Sequence, residues 1–225
     1  MGQLKETEKR ASRMIAVIDY GRGNLGSVEN ALGRLGMRAV VTEDPRVIED
    51  ARALILPGDG AFHDAMANLK TLGLLAPLRR ALDGTRPFLG ICLGYQLLFS
   101  SSEEFGEGPG LDVIPGVNRR FPAGRKVPHM GWNGVEHGRR LRLFEGVPEG
   151  ARFYFVHSYY PEARTTDCAT TGAGPLKQAW CEYGVRFAAA VELGAIHATQ
   201  FHPEKSQRWG LRMLENFAVI VKESA

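Results

Sequence analysis

Apolar residues in this chain come in two alternating rhythms from Met14 onward. Met14–Asp19 is a short, nearly continuous apolar run, the pattern of a strand buried on both faces. Leu25, Val28, Leu32 and Leu35 then recur at helical spacing as far as Gly36, a residue suited to the left-handed turn that ends a helix. Met37–Val41 and Ala53–Leu56 predict further strands, and the stretch Ala61–Leu82 predicts one or two helices. Another strand ends at Ile91 and another helical run begins at Leu93. Such alternation builds an open, mostly parallel sheet with helices on both faces. After Gly106 the segments become shorter and more strand-like, with candidates at Arg152–Val156, Gln178–Glu182, Phe187–Glu192 and Ala195–Phe201. Ser206 is placed to cap a final helix carrying Leu211, Leu214 and Phe217 on one side. The predicted fold is therefore α/β, a flanked parallel sheet with a strand-rich second half.

Residues 1–13 show no apolar period and read as a disordered extension, with one folded domain over 14–225. The net charge is +3, of which the first thirteen residues carry +2, so the remainder is nearly neutral and has no electrostatic footprint for nucleic acid. No apolar run approaches the length of a membrane span, and the charged N-terminus lacks the apolar core of a secretory signal. Three cysteines without close spacing fit a reducing, cytoplasmic setting better than a disulfide framework, with Cys168 and Cys181 read as core thiols.

Chemistry concentrates at Gly90-Ile-Cys-Leu-Gly94. Small residues two positions either side of Cys92 permit the sharp strand-to-helix turn that lifts a nucleophile above a sheet edge. A thiol at the first turn of a helix feels the positive end of the dipole, and the free N–H groups there, Leu93 first, can hold an oxyanion. By itself the motif fits a buried thiol in a Gly-rich core turn equally well. A base lies far along the chain, where His202-Pro-Glu204 follows the last strand. In extended backbone His202 and Glu204 point to one side, so the carboxylate can orient the imidazole. A third element, Pro57-Gly58-Asp59-Gly60, follows a short apolar strand and can turn backbone N–H groups toward an oxyanion. Asp59 sits awkwardly there, since its carboxylate must point away from developing negative charge.

Two competing patterns are present. Gly21-Arg-Gly-Asn-Leu-Gly26 after a strand, with Glu43 some way on, matches the dinucleotide-binding fingerprint, yet the second half lacks a second βαβ unit and the triad would go unexplained. His63, His129, His137, His157 and His197 show no metal-ligand spacing, so neither metal nor cofactor is expected. His197, inside the last strand, is expected to be a satisfied core residue. Trp132 and Tyr154 fit plain core aromatics.

Taken together, these residues resemble the class I, or triad-type, glutamine amidotransferases. Within them, Ile18–Ser27, Leu56–Phe62, Pro128–Asn133, Tyr154–Tyr159 and Gln200–Ser206 are similar to the glutaminase subunits of imidazole glycerol phosphate synthase. The resemblance implies the class I amidotransferase fold, and hydrolysis of glutamine to glutamate and ammonia through a thioester on Cys92, with His202 and Glu204 completing the triad. It implies an oxyanion hole from Leu93 and the loop Gly58, Asp59 and Gly60, where the family usually carries Val in place of Asp59. Gln96, Glu104, Ser158 and Tyr159 are implied to bind glutamine. It further implies a heterodimer with a (β/α)8-barrel cyclase subunit, which uses the ammonia to make imidazole glycerol phosphate and AICAR from PRFAR in histidine biosynthesis. Asn24, Trp132, Tyr154 and Lys205 are implied at that interface. A free-standing cysteine hydrolase of γ-glutamyl bonds is the alternative with the same chemistry and no partner.

Overall fold

The computed structural model describes residues 14–162 and 174–224. The segment expected to be a disordered extension, 1–13, lies outside the described residues, as does Cys168. Among the described residues a seven-stranded sheet runs in the order β11-β12-β13-β4-β3-β1-β2. Its parallel part comprises β1 (Ile15–Ile18), β2 (Ala39–Thr42), β3 (Ala53–Gly58), β4 (Phe88–Cys92) and β13 (Ile196–Thr199). β11 (Lys177–Glu182) and β12 (Arg186–Leu193) join it antiparallel. The continuous apolar runs follow from burial on both faces: Ile15 and Val17 enter one core cluster, Ala16 and Ile18 the other. Ala53 and Ile55 divide from Leu54 and Leu56 in the same way.

The helices cover those two faces. α1 (Leu25–Arg34) shares the first core with the C-terminal α6 (Gln207–Glu223), through Val28 and Leu32 on one and Leu214 and Phe217 on the other. On the opposite face lie α2 (Pro45–Asp50), α3 (Phe62–Thr71) and α4 (Leu75–Ala81), burying Ile48, Phe62, Leu69 and Leu78. α1 starts at Asn24, whose side chain accepts from the Ser27 N–H. The chain turns out of it at Gly36, φ +67°. The helical stretch expected over Ala61–Leu82 divides into α3 and α4 around Gly73, φ +70°. α2 has no counterpart among the expected elements, although Asp44 capping the Arg46 N–H ahead of Pro45 is a helix-start signal.

The helix expected from Leu93 is a correction. α5 (Leu93–Gln96) is one turn long, because Phe99–Ser102 leaves to become β5 and pairs with β7 (Ile114–Arg120). Those two strands, with β6 (Gly108–Pro109) and β10 (Tyr159–Pro161), form a second sheet in the order β10-β7-β5-β6. β8 (His129–Gly134) and β9 (Arg152–His157) pair antiparallel as a separate ribbon. No described helix is long and apolar enough to cross a membrane.

His197 is a second correction. It is buried in β13, opposite Glu192, but neither ring nitrogen has a hydrogen-bond partner among the described residues. The Glu192 carboxylate, 3.6 Å away, is already occupied by the Arg142 N–H at 2.7 Å and by Lys177. Burial pushes the imidazole down to about 4, against a weaker pull from Glu192.

Three outcomes are expected. A Cβ on Gly94 would stand 1.8 Å from the Leu56 carbonyl oxygen, so Gly94→Ala should cost upward of about 4 kcal/mol in urea unfolding, or prevent folding. Gly33→Ala, on the exposed side of α1 with open space around it, should instead stabilise by about 0.4–1 kcal/mol. For His197, the unfolded imidazole takes up a proton below about 6.5 while the folded one stays neutral down to about 4. Folding stability should therefore fall as pH drops through that window. Urea titrations of His197→Leu should show a shallower loss over the same range; an unchanged slope would mean this imidazole does not contribute.

Candidate active site

The parallel strands bring their carboxyl ends to one edge, the usual crevice for ligands in an open α/β sheet. Cys92 closes β4 there and Gly58 is its register partner at the end of β3. The thiol residue has φ 54° and ψ −106°, a sparsely populated conformation for a residue with a Cβ and the mark of a strained elbow. Its flanking glycines have a steric reason. A Cβ on Gly90 would meet the Gly94 carbonyl oxygen at 2.9 Å, and one on Gly94 would strike the Leu56 carbonyl. Because α5 is a single turn, its first free N–H groups matter more here than any macrodipole.

His202 and Glu204 come together, with Nδ1 2.8 Å from the Glu204 carboxylate and both side chains almost fully buried. They do so by a different route from the one expected. His202 is extended, but Pro203–Lys205 folds into a 3₁₀ turn, and that turn swings Glu204 back under the ring. Ser206, expected to cap α6, does not do so with its side chain. Its hydroxyl donates to the His202 carbonyl at 2.6 Å and accepts from the Tyr154 N–H at 3.0 Å. The Tyr154 carbonyl in turn accepts from the His202 N–H at 3.0 Å, so two hydrogen bonds tie the turn to β9. Burial opposes a charged His202, but an ionised Cys92 and the Glu204 carboxylate outweigh it and push the imidazole up to about 10. Once the thiol has ionised, the ring therefore holds its proton at neutral pH.

The loop after β3 is braced rather than free. Asp59 turns its carboxylate to accept the Gly23 N–H at 3.0 Å, which answers the awkwardness of a carboxylate beside an oxyanion site. Arg22 lies against Gly60, whose φ is +82°, and pairs with Asp64 at 2.8 Å. Gly23 itself, φ +105°, would drive a Cβ to 3.3 Å from the backbone of Pro57 and Gly58. The glycines that imitate a dinucleotide fingerprint thus include one that lets two main-chain segments approach.

A cavity of about 390 Å³ opens over these groups, at the lower end of the range for small-molecule sites. Cys92, Leu93, Asp59, Gly60, Gln96, Glu104, Ser158, Tyr159, His202 and Lys205 all border it. A wider groove of about 550 Å³ runs along Arg139–Pro148 but carries no nucleophile. Gln96 donates to the Tyr159 carbonyl at 2.8 Å and to the Gln200 side chain at 3.0 Å. Glu104 accepts the Phe62 N–H at 2.7 Å, supplying the start of α3 with a cap that Ala61 cannot give. Gly58 and Glu204 do not border the cavity: the first pairs in register with Cys92, and the second stands behind His202. Asn24, Trp132 and Tyr154 also lie outside. Trp132 faces Tyr154 across the β8–β9 ribbon with ring centroids 6.1 Å apart, and α1 packs against the 203–205 turn, which brings Asn24 and Lys205 to neighbouring elements.

Several residues at the site carry no signal of their role in the sequence. Gln200, fully buried, directs its amide toward Cys92 Sγ at 3.7 Å. Tyr20 buries a hydroxyl beside Gly58 with no described partner; burial, then Asp59 and Cys92, push its ionisation well up. Met130 stands 60% exposed on the same ribbon as Trp132. His157 donates from Nδ1 to the Tyr159 carbonyl, which leaves Nε2 to accept from His129 Nδ1 at 3.0 Å, and Asn133 donates to His129 Nε2. That ordered chain needs both rings neutral. Burial pushes His157 down to about 3, so neither histidine is set up to exchange protons at neutral pH.

The model of the family "Glutamine amidotransferase class-I" matches residues 16–221. The "Imidazole glycerol phosphate synthase subunit HisH" of Moorella thermoacetica is 52% identical over 212 residues, covering 94% of this chain and 97% of the relative. The subunit of the same name from Methanothermobacter thermautotrophicus is 49% identical over 209 residues, covering 93% and 100%. Among solved structures, a glutamine amidotransferase matches with a TM-score of 0.68 at 22% identity, covering 92% of this chain and 98% of that one. PurLQS from Thermotoga maritima matches with a TM-score of 0.66 at 15% identity, covering 93% and 97%. At those identities the structures bear on the fold.

The two described thiols should differ sharply in reactivity. Burial pushes Cys181 up to about 12, whereas Cys92 borders the cavity beside an imidazole. Iodoacetamide at pH 7 should label Cys92 and leave Cys181 intact by peptide mapping of the native protein; equal labelling would contradict this arrangement.

Proposed function

The chain belongs to the class-I glutamine amidotransferases, and from that premise we propose that it is the glutaminase subunit of an imidazole glycerol phosphate synthase. In that role it works in histidine biosynthesis and supplies ammonia to a partner cyclase subunit. The observation that carries the site assignment is the elbow thiol facing a carboxylate-backed imidazole in a cavity of amino-acid size. Residues 14–225 act in this reading as one amidotransferase domain.

The geometry supports a covalent route through Cys92. Cys92 gives its proton to His202 and the thiolate attacks the side-chain amide carbon of glutamine. The carbonyl oxygen takes up the negative charge beside the Leu93 N–H and the Gly58–Gly60 loop. His202 returns the proton to the departing nitrogen, ammonia leaves, and a γ-glutamyl thioester remains on Cys92. Water, deprotonated by the same imidazole, cleaves the thioester to glutamate and restores the thiol. Glu204 orients the ring and stabilises its charged form. Gln96, Glu104 and the Ser158–Tyr159 segment border the space that glutamine occupies, with the second carboxylate oxygen of Glu104 suited to the substrate's ammonium group.

Ammonia made here is useful where an acceptor waits. The partner is a (β/α)8-barrel cyclase that joins the ammonia to PRFAR, giving imidazole glycerol phosphate and AICAR. The docking face comprises Asn24, Trp132, Tyr154 and Lys205. Its support is the half-exposed Trp132, the adjoining exposed Met130, and the lysine at the cavity mouth next to the triad carboxylate.

In the reconstituted complex Cys92→Ala should lower glutamine-dependent synthesis about 10⁴-fold or more, while synthesis from added ammonium salt continues at the cyclase. Substantial glutaminase activity in this variant would exclude the thioester route. Full activity of the isolated chain, indifferent to any cyclase, would favour a free-standing hydrolase.

A further inference from the structure

Gln200 follows β13, whose register sets Ala198 beside Gly90 and Thr199 beside Ile91, so it lies level with Cys92 on the neighbouring strand. Its backbone N–H is fixed to the Ala189 carbonyl at 2.8 Å, and its side chain is wholly enclosed. The orientation of the amide is dictated by its neighbours. Gln96 gives one N–H to the Tyr159 carbonyl, which can only accept, and so presents its amide nitrogen to Gln200 as well. Gln200 must meet that nitrogen with its oxygen, at 3.0 Å, which turns its own NH₂ toward Cys92 Sγ, 3.7 Å away. On another side of the sulfur lies the Val156 carbonyl at 3.9 Å, an acceptor that suits the protonated thiol and repels the thiolate. The sulfur is thus contacted by one group that favours each protonation state.

We propose that Gln200 is a further catalytic residue, whose amide N–H holds the Cys92 thiolate while its carbonyl braces Gln96 in the glutamine site. This rests on the amidotransferase reading above. When the thiol proton passes to His202, the S–H contact to Val156 is lost and the N–H···S contact becomes charge-assisted. Carbon–sulfur bond formation then moves the charge from sulfur to the carbonyl oxygen and weakens that contact. It returns when water cleaves the thioester and the sulfur departs again as thiolate. Gln200 therefore raises the population of the attacking species and eases its exit. The oxygen end of the same amide holds Gln96, so the substrate-facing residue and the nucleophile share one rigid linker.

Alkylation of Cys92 by iodoacetamide across pH 5–10 tests the thiolate contact without needing glutamine, and glutaminase kinetics in the complex test its catalytic weight. Gln200→Leu removes both ends of the amide. Its alkylation midpoint should rise by about one pH unit, and its high-pH limiting rate by about threefold, since a more basic thiolate is more nucleophilic. Gln200→Glu keeps an oxygen for Gln96 but sets a carboxylate against the sulfur. Its midpoint should rise at least as far, kcat should fall roughly ten- to a hundredfold, and KM for glutamine should stay within about twofold. In the leucine variant KM should rise as well. If that variant does not unfold cooperatively, the glutamate variant carries the test alone. Wild-type midpoints in both variants would overturn the proposal, and so would a shift in the leucine variant with none in the glutamate variant, which would mark Gln200 as packing only. A wild-type complex without glutaminase activity but with shifted midpoints in the variants would reject the amidotransferase reading and leave the amide–thiolate contact standing.

Discussion

Three stretches of main chain pack closely around Gly94, Gly58 and Gly23. The turn after Cys92 presses on the Leu56 carbonyl, the end of β3 lies under Leu93 and Tyr20 at Gly58, and the loop before α1 reaches the Pro57–Gly58 peptide at Gly23. A methyl group at Gly94 or Gly58 would collide outright, and one at Gly23 would press on the Pro57–Gly58 backbone at 3.3 Å. Backbone dipoles are thereby held at short range without the mobility of side chains, which is the condition for an oxyanion site that needs no reorganisation during reaction. Placement of the nucleophile, the donor loop and the brace on that loop all depend on this approach. The strain at Cys92, φ 54°, persists because these neighbours leave the turn no other course.

Around that rigid centre, polar groups are arranged so that few atoms serve several partners. The Tyr159 carbonyl receives both Gln96 and His157, which joins the substrate side of the cavity to a neutral histidine pair packed against Phe155 and Tyr183. The Ser206 hydroxyl joins the His202 carbonyl to the Tyr154 N–H. Tyr154 belongs to the ribbon that carries Trp132 and Met130 at the surface, so that ribbon and His202 are joined by hydrogen bonds rather than by loose packing alone.

Much of this is readable from residue order, and the exceptions share a cause. The parallel core announces itself because β1, β3 and β4 are apolar on both faces, and the elbow becomes legible once glycine, cysteine and glycine at that spacing are joined to the distant His202-Pro-Glu204. The length of α5 cannot be read: Leu97, Leu98 and Phe99 continue an apolar run equally suited to helix or strand, and pairing of Phe99 with Ile114 decides it. Ser206 has the residue type and position of a helix cap, but its hydroxyl goes to the His202 carbonyl and to the Tyr154 N–H that β9 brings near. His197 reads as a satisfied core histidine, and the acceptor it needs is occupied by Arg142 and Lys177. Gln200 sits within a segment already singled out, yet its meaning depends on standing beside a strand from another part of the chain. Local rules fail at these points because long-range pairing sets the outcome.

β13 is the last strand in the sequence and stands in the middle of the sheet, between β12 and β4. The sulfur and the amide that touches it are 108 positions apart in the chain. During synthesis, which releases the amino-terminal part first, the cysteine strand exists well before its neighbour is made. Until β13 is inserted, β4 has an open edge and the His202 imidazole is not in place beside the thiol. A chain trimmed back to β13 loses a central strand rather than a dispensable margin, and with it Gln200, His202 and Glu204. The thiol and the groups that contact it are thus brought together only by the strand that is made last.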